Sequence, residues 1–221
     1  MTLRLAIFDF DGTLADSFPW FTSVLNQVAA RYHFRPVTAE EVGLLRRLDA
    51  RQILSHLAVP GWKVPLIAAH MRQLQARADI APFPALPALL DGLAGDGLRL
   101  ALVSSNQEAN IRRSLGPALF ARFEQVECGA GLFGKAGRLR RVADRSGLAK
   151  NEIAAIGDEI REIEAARAAG LAAIAVGWGY TDAEALAAQA PDHLARTPEE
   201  LGRILRGRLG GCQDNVPPPG G

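Results

Sequence analysis

Cysteine is nearly absent. The 221 residues include two, Cys128 and Cys212, and the second lies in a Gly/Pro-rich tail where nothing would hold it in bridging geometry, so a disulfide framework is excluded. Long apolar runs are missing as well. None approaches the roughly 18 uninterrupted residues of a membrane span, and the first, Leu5 to Phe8, stops at Asp9, short of the roughly 7–15 residues of a signal core. Neither sign of charge is in excess. Twenty-five Lys and Arg against 24 Asp and Glu leave a formal charge of +1, which offers no electrostatic basis for binding nucleic acid or an anionic membrane. Lysine itself is scarce, with Lys63, Lys135 and Lys150 the only three. The four histidines, His33, His56, His70 and His193, show no metal-ligand spacing. These absences lead us to expect a soluble, cytoplasmic protein of a reducing compartment, with small molecules as its partners.

Core-forming material is plentiful. Apolar residues make up 48% and charged residues 22%, enough for one domain, or one core carrying a smaller insert. Five short runs read as buried strands: Leu3–Phe8, Leu98–Val103, Phe123–Cys128, Ile153–Ile156 and Ala172–Val176. Helical periodicity over Ala109–Leu115, Leu139–Ser146 and Ile160–Ala169 alternates with them. The expected class is α/β, a Rossmann-like parallel sheet with helices on both faces. Residues 17–82 break the alternation. Phe18–Tyr32, Ala39–Leu48, Ala50–Leu57 and Val64–Ala78 read as helices separated by Pro36, Pro60–Gly61 and Pro82–Pro84, and Thr38 with Glu41 three residues on forms a capping box. The expected organisation is an α/β core of residues 1–16 and 83–206, a helical cap of residues 17–82 joined through linkers near 15–17 and 80–84, and a disordered tail over 207–221.

Asp9-Phe10-Asp11-Gly12-Thr13 follows the first strand directly, at the end of a parallel sheet where ligands bind. Two carboxylates two residues apart point the same way while the backbone is extended, and Gly12 lets the chain turn where a Cβ would clash. The run Ile7-Phe8-Asp9-Phe10-Asp11-Gly12-Thr13-Leu14 resembles the first motif of the haloacid dehalogenase-like hydrolases, most of which are Mg²⁺-dependent phosphatases and phosphotransferases. That resemblance implies three further sites at the ends of later strands, and candidates occur in order. They are Ser104-Ser105-Asn106, Lys135 within Leu132-Phe133-Gly134-Lys135, and Gly157-Asp158-Glu159 with Glu162 four residues past Asp158. Ala136 follows Lys135 where many relatives carry Pro, and Glu162 stands where Asp is usual. Trp178-Gly179-Tyr180 is similar to a segment of the phosphoglycolate-phosphatase-like branch.

The resemblance also implies roles. Asp9 is the expected nucleophile, forming an aspartyl-phosphate. Asp11 is the expected acid for the leaving oxygen and then the base for water, which requires that it begin protonated. Ser104 and Lys135 would stabilise the phosphoryl oxygens, with Gly12, Thr13, Ser105 and Asn106 around the substrate. Mg²⁺, which prefers six oxygen ligands, would be held by Asp9, Asp158 and the carbonyl of Asp11, with Glu162 supporting the metal or its waters. Members that displace halide lack the second aspartate, so Asp11 argues for phosphoryl transfer. The expected substrate is a small phosphorylated metabolite, with no nucleic acid or membrane as partner, selected among Arg46, Arg47, Arg51, His56 and Arg72. Lys63, the only lysine of the helical segment, leaves a phosphonate-cleaving Schiff base as a weaker reading.

Three alternatives stand beside this reading. A phosphosugar mutase would share the aspartyl-phosphate and differ in the acceptor. A binding protein could retain the scaffold without the chemistry. Gly129-Ala130-Gly131-Leu132-Phe133-Gly134 matches a dinucleotide-binding fingerprint, although that reading leaves the aspartate motif and the helical insert unexplained. The Arg112–Arg113 and Arg138–Arg141 runs read as solvated helix faces.

Overall fold

Strand β1 (Leu5–Phe8) sends alternate side chains to opposite faces of the sheet, and both faces are buried. In the computed structural model, which describes residues 2–129 and 134–209, Leu5 and Ile7 join one apolar cluster and Ala6 and Phe8 another. Five more strands complete the sheet: β2 (Arg99–Val103), β3 (Phe123–Glu127), β4 (Ile153–Gly157), β5 (Ala172–Val176) and β6 (His193–Ala195). All pairings are parallel, in the order β3-β2-β1-β4-β5-β6. The chain is therefore α/β with a Rossmann-like parallel sheet. β1 lies at its middle, where the order reverses, which is the position at which such sheets open a crevice for ligands.

Helices cover both faces. Leu139 and Val142 of α7 (Lys135–Ser146) and Ile163 of α8 (Ile160–Ala169) pack on Leu5 and Ile7. On the other face α5 (Leu86–Gly95), α6 (Glu108–Phe120) and α10 (Pro198–Arg208) bring Leu90, Leu93, Ile111, Leu201 and Leu205 against Phe8. A short α9 (Ala183–Ala188) precedes β6. β6 was not foreseen, because three residues are too few for a periodicity to show. α10 runs through Arg208, past the expected start of a disordered tail at 207. Residues 210–221, Cys212 among them, lie outside the described residues.

Between β1 and α5 the chain forms α1 (Phe18–Tyr32), α2 (Val42–Leu45), α3 (Ala50–His56) and α4 (Val64–Gln75). These have an apolar cluster of their own, centred on Val28, Ala29, Phe34, Val37, Leu45 and Leu57. The two connecting segments run side by side: Asp16 N–H donates to Ala81 O (3.0 Å) and Phe83 N–H to Leu14 O (3.0 Å). The helix expected over Ala39–Leu48 shrinks to four residues. Glu41 accepts from the Thr38 N–H (3.1 Å) but also engages Arg35 and His56, and Arg46 turns away to bind the loop after β5. α4 stops at Gln75 rather than Ala78, where Arg113 from α6 donates to the Gln75 carbonyl at 2.9 Å.

Candidate active site

Three strand ends converge on Asp9. β1 pairs with β2 so that Phe8 lies beside Leu102, and with β4 so that Phe8 lies beside Ile156. Ser104 and Asp158 therefore emerge on either side of the Asp9–Asp11 turn. Asp9 N–H extends the ladder, donating to Ile156 O at 2.9 Å. Phe10 turns into the core, which leaves Asp9 and Asp11 on the site side.

The charged centre is buried. Lys135, the first residue of α7, places its ammonium 2.6 Å from Asp9 Oδ1 and 2.5 Å from Glu162 Oε1. A cation at a helix N-terminus is unfavourable with respect to the helix dipole, and these two carboxylates offset that. Asp9, Asp158 and Glu162 bring ligand oxygens within 4.8 Å of one another. Burial works against Lys135's charge, but Asp9 and Glu162 outweigh it and raise its pKa. Burial, with Glu159 and Asp9 nearby, pushes Asp158 up to about 8. Glu162 is raised by burial and by Asp9, against the opposing pull of Lys135. Three carboxylates around one ammonium leave unbalanced negative charge. Clustered carboxylate oxygens of this kind are the donor set a hard divalent cation takes, so the residues present fit Mg²⁺.

The other side chains hold these groups in place. Thr13 Oγ1 donates to Asp158 Oδ1 (2.7 Å) and Tyr180 N–H donates to Asp158 Oδ2 (2.8 Å). Glu162 Oε2 accepts from the N–H groups of Asp158 (2.8 Å) and Glu159 (3.3 Å). Thr13, expected around the substrate, thus has its hydroxyl committed to Asp158. Gly12 has φ +76°, and a Cβ there would collide with the Asp158 carboxylate and the Tyr180 ring. Gly179 is equally confined, because a Cβ would meet the Asp158 carboxylate and the Gly12 carbonyl. Gly179→Ala is expected to cost about 1–3 kcal/mol by overpacking, read as a lower denaturant midpoint at unchanged m-value.

Asp11 faces the helical insert. Gln75 Nε2 from α4 donates to its Oδ1 (2.5 Å) and Asn106 Nδ2 to its Oδ2 (3.0 Å). Ser17 also favours the charged form of the Asp11 carboxyl, and the Ser17 hydroxyl lies 3.0 Å from the Tyr180 phenol oxygen. Burial and the Asp9 charge outweigh these donors and raise Asp11 to about 6. Asn106, expected beside the substrate, is occupied here with Asp11 and with Asn110 (3.0 Å). Ser104 Oγ accepts from Asn106 N–H at 3.1 Å, and Ser105 lines the cavity above Asp11. Arg138 corrects the reading of its run as solvated. It is 4% exposed and donates to Ser104 O at 2.8 Å, because the β2 end needs a partner for that buried carbonyl.

Several of these contacts were not anticipated from the sequence: Gln75, Ser17, Tyr180 and Arg138. Among the expected selectors, Arg46 donates to Gly179 O (2.9 Å) and Tyr180 O (3.2 Å) and lies over the Phe18 ring. Arg46 and Arg72 line the cavity over Asp11. His56 is instead engaged by Arg35 and Glu41, Arg47 lies 3.9 Å from Asp182, and neither Arg47 nor Arg51 lines that cavity. Lys63 donates to the Tyr32 carbonyl at 2.7 Å. Most of the glycine-rich run at Gly129–Gly134, including Gly131, lies outside the described residues, as do Leu132 and Phe133 before Lys135.

Comparison with known proteins decides the family. The profile described as "Haloacid dehalogenase-like hydrolase" matches residues 6–176, well over half of the chain. This protein belongs to the haloacid dehalogenase-like hydrolases. It is 34% identical to a phosphoglycolate phosphatase of Synechococcus elongatus over 205 residues, covering 90% of this chain and 95% of that protein. A predicted phosphatase from Clostridium acetobutylicum shares the fold with a TM-score of 0.79 at 16% identity, covering 94% of this chain and 100% of that one. CbbY from Rhodobacter sphaeroides, solved in complex with phosphate, does so with a TM-score of 0.67 at 21% identity, covering 91% and 97%. The chain is thus a phosphoglycolate-phosphatase-like hydrolase of this family. Among the described residues no helix is long and apolar enough to cross a membrane.

Proposed function

We propose that this enzyme hydrolyses a small phosphate monoester in a Mg²⁺-dependent reaction, with Asp9 as nucleophile and α1–α4 acting as a cap. The observation that carries this reading is the placement of two aspartates, Asp9 buried and Asp11 half-buried, in different surroundings. Asp9 lies against Lys135 in the acidic cluster, whereas Asp11 lies apart from that lysine with its pKa raised to about 6. A carboxyl whose pKa is raised is suited to give a proton, and the carboxylate beside the lysine to attack, which divides acid from nucleophile.

The chemistry follows from that division. An Asp9 oxygen attacks phosphorus as the bond to the ester oxygen breaks, and Asp11 gives its proton to that oxygen. Asp11, now a carboxylate, takes a proton from water. The water oxygen attacks phosphorus, phosphate leaves, and Asp9 is restored. Lys135 balances charge on Asp9 and the phosphoryl oxygens, and the Ser104 hydroxyl donates to one of them. Asp9, Asp158 and the Asp11 carbonyl would hold Mg²⁺, with Glu162 of the same acidic cluster supporting the metal or its waters; when bound the metal offsets the negative charge of both nucleophile and phosphoryl group. Gln75 brings the cap onto Asp11 and limits water at the first step.

Phosphate release from an aryl phosphate tests this reading. Turnover is expected with Mg²⁺, to vanish with a chelator and to return on adding Mg²⁺ back. Mg²⁺ at about ten times its Kd should also stabilise the fold by about 1.4 kcal/mol, which for a chain of this size is a rise in Tm of about 3–6 °C. Undiminished turnover in chelator, with no shift in Tm, would contradict the metal assignment.

A further inference from the structure

The cavity above Asp11 is far larger than a glycolyl group requires. Its volume is about 330 Å³, within the range of sites for drug-sized ligands. Its polar end is formed by Asp11, Gln75, Ser105 and Asn106. From there it runs into the helical insert between Phe21, Leu25, Leu45, Ile53, Ile67 and Met71. Leu25, Ile53, Ile67 and Met71 pack against the insert's own apolar cluster and line this space at the same time. Packed cores hold few voids larger than a water molecule, so an opening of this size that begins at the Asp11 carboxyl is a chamber. Arg72 lies one turn before Gln75 on the same face of α4 and lines the cavity; among the described residues its guanidinium has no ion-pair partner. Its positive charge thus lies toward the polar end, where a phosphoryl group carries negative charge; Arg46, Glu159, Arg161 and Tyr180 also reach the cavity, and its part between the helices of the insert is lined mainly by aliphatic and aromatic side chains.

We propose that the leaving group of the substrate is a bulky apolar alcohol, an aryl or alkyl chain that fills this chamber, rather than glycolate. The assignment rests on the phosphatase reading above for its chemistry, and the chamber supplies the selectivity. Glycolate would leave most of the volume, and the apolar lining between the helices, without contact. Each methylene buried should contribute about fourfold to affinity, corresponding to about 0.8 kcal/mol, until the chamber is full.

Two series test the proposal separately from the phosphatase reading. In the first, kcat/KM is measured for ethyl, butyl, hexyl and octyl phosphate and for phosphoglycolate. We expect a rise of about fourfold per methylene, with hexyl phosphate at least tenfold above phosphoglycolate. Phosphoglycolate as the best substrate, with values flat or falling along the series, would overturn the proposal. In the second, binding of methyl- to octylphosphonate is measured by calorimetry, which needs no turnover. Affinity that climbs with chain length supports the chamber even if no ester is hydrolysed, in which case the phosphatase reading alone fails. Affinity independent of chain length overturns it. Ala68→Phe, which adds a ring to the α4 wall of the cavity, should cut the ratio of octyl- to methylphosphonate affinity at least tenfold. An unchanged ratio in a folded variant counts against the chamber as the binding site.

Discussion

Asp9→Asn is expected to abolish phosphate release, lowering kcat at least about 10⁴-fold, the scale of losing a nucleophile whose partners act as a unit. The substitution keeps the shape of the side chain, so the loss must come from chemistry. Stability distinguishes it from misfolding. Asp9 is 5% exposed and has Lys135 on one side, while its charge raises the pKa of both Asp158 and Glu162. The amide removes one of three crowded carboxylates while Glu162 still pairs with Lys135. In chelator, the Tm of the variant should therefore equal or exceed that of the wild type. Thermal melts in EDTA with parallel assays in Mg²⁺ check both halves. Activity within tenfold of wild type would exclude Asp9 as nucleophile.

Lys135→Met should damage both activity and the fold. Its ammonium is the partner of Asp9 and Glu162 at the centre of the site, and the side chain is only 17% exposed. Removing one member of a buried charge cluster leaves the others uncompensated, at a cost of about 3–5 kcal/mol. For a chain of this size that corresponds to a Tm lowered by about 6–20 °C. kcat should fall at least about 10²-fold through lost stabilisation of developing charge. Mg²⁺ should recover more Tm in the variant than in the wild type, because the metal then supplies the missing positive charge. Equal Mg²⁺ shifts in both proteins would show that Lys135 and the cation do not share these carboxylates.

The sheet was legible because its strands are short, apolar and bounded by turn residues, and because the chemistry-bearing residues follow them at once. α1, α8 and β5 occupy the ranges their periodicity indicated. What escaped depends on contacts distant in sequence. Gln75 is a polar position in an amphipathic helix until the fold brings it across 64 residues to Asp11. Arg138 reads as one more surface arginine, yet the Ser104 carbonyl draws it inside. Tyr180 and Gly179 follow a strand with no local sign that their backbone closes around Asp158. α2 was overestimated because local capping signals compete with Arg35 for the same Glu41 carboxylate, and with Arg46's bonds to the loop after β5. The chamber in the insert was invisible for a related reason. Apolar residues at helical spacing look the same whether they meet in a solid core or line a cavity.

The most direct test of the central claim is to trap the intermediate. Wild-type enzyme turning over an aryl phosphate in Mg²⁺ is quenched and reduced with borohydride, and residues 1–31 are examined by peptide mass spectrometry. Reduction of an aspartyl-phosphate converts the aspartate to homoserine. The account predicts homoserine at position 9, present only with both ester and Mg²⁺, and aspartate unchanged at position 11. Sustained turnover with no homoserine at position 9, or with the modification at position 11, would contradict it.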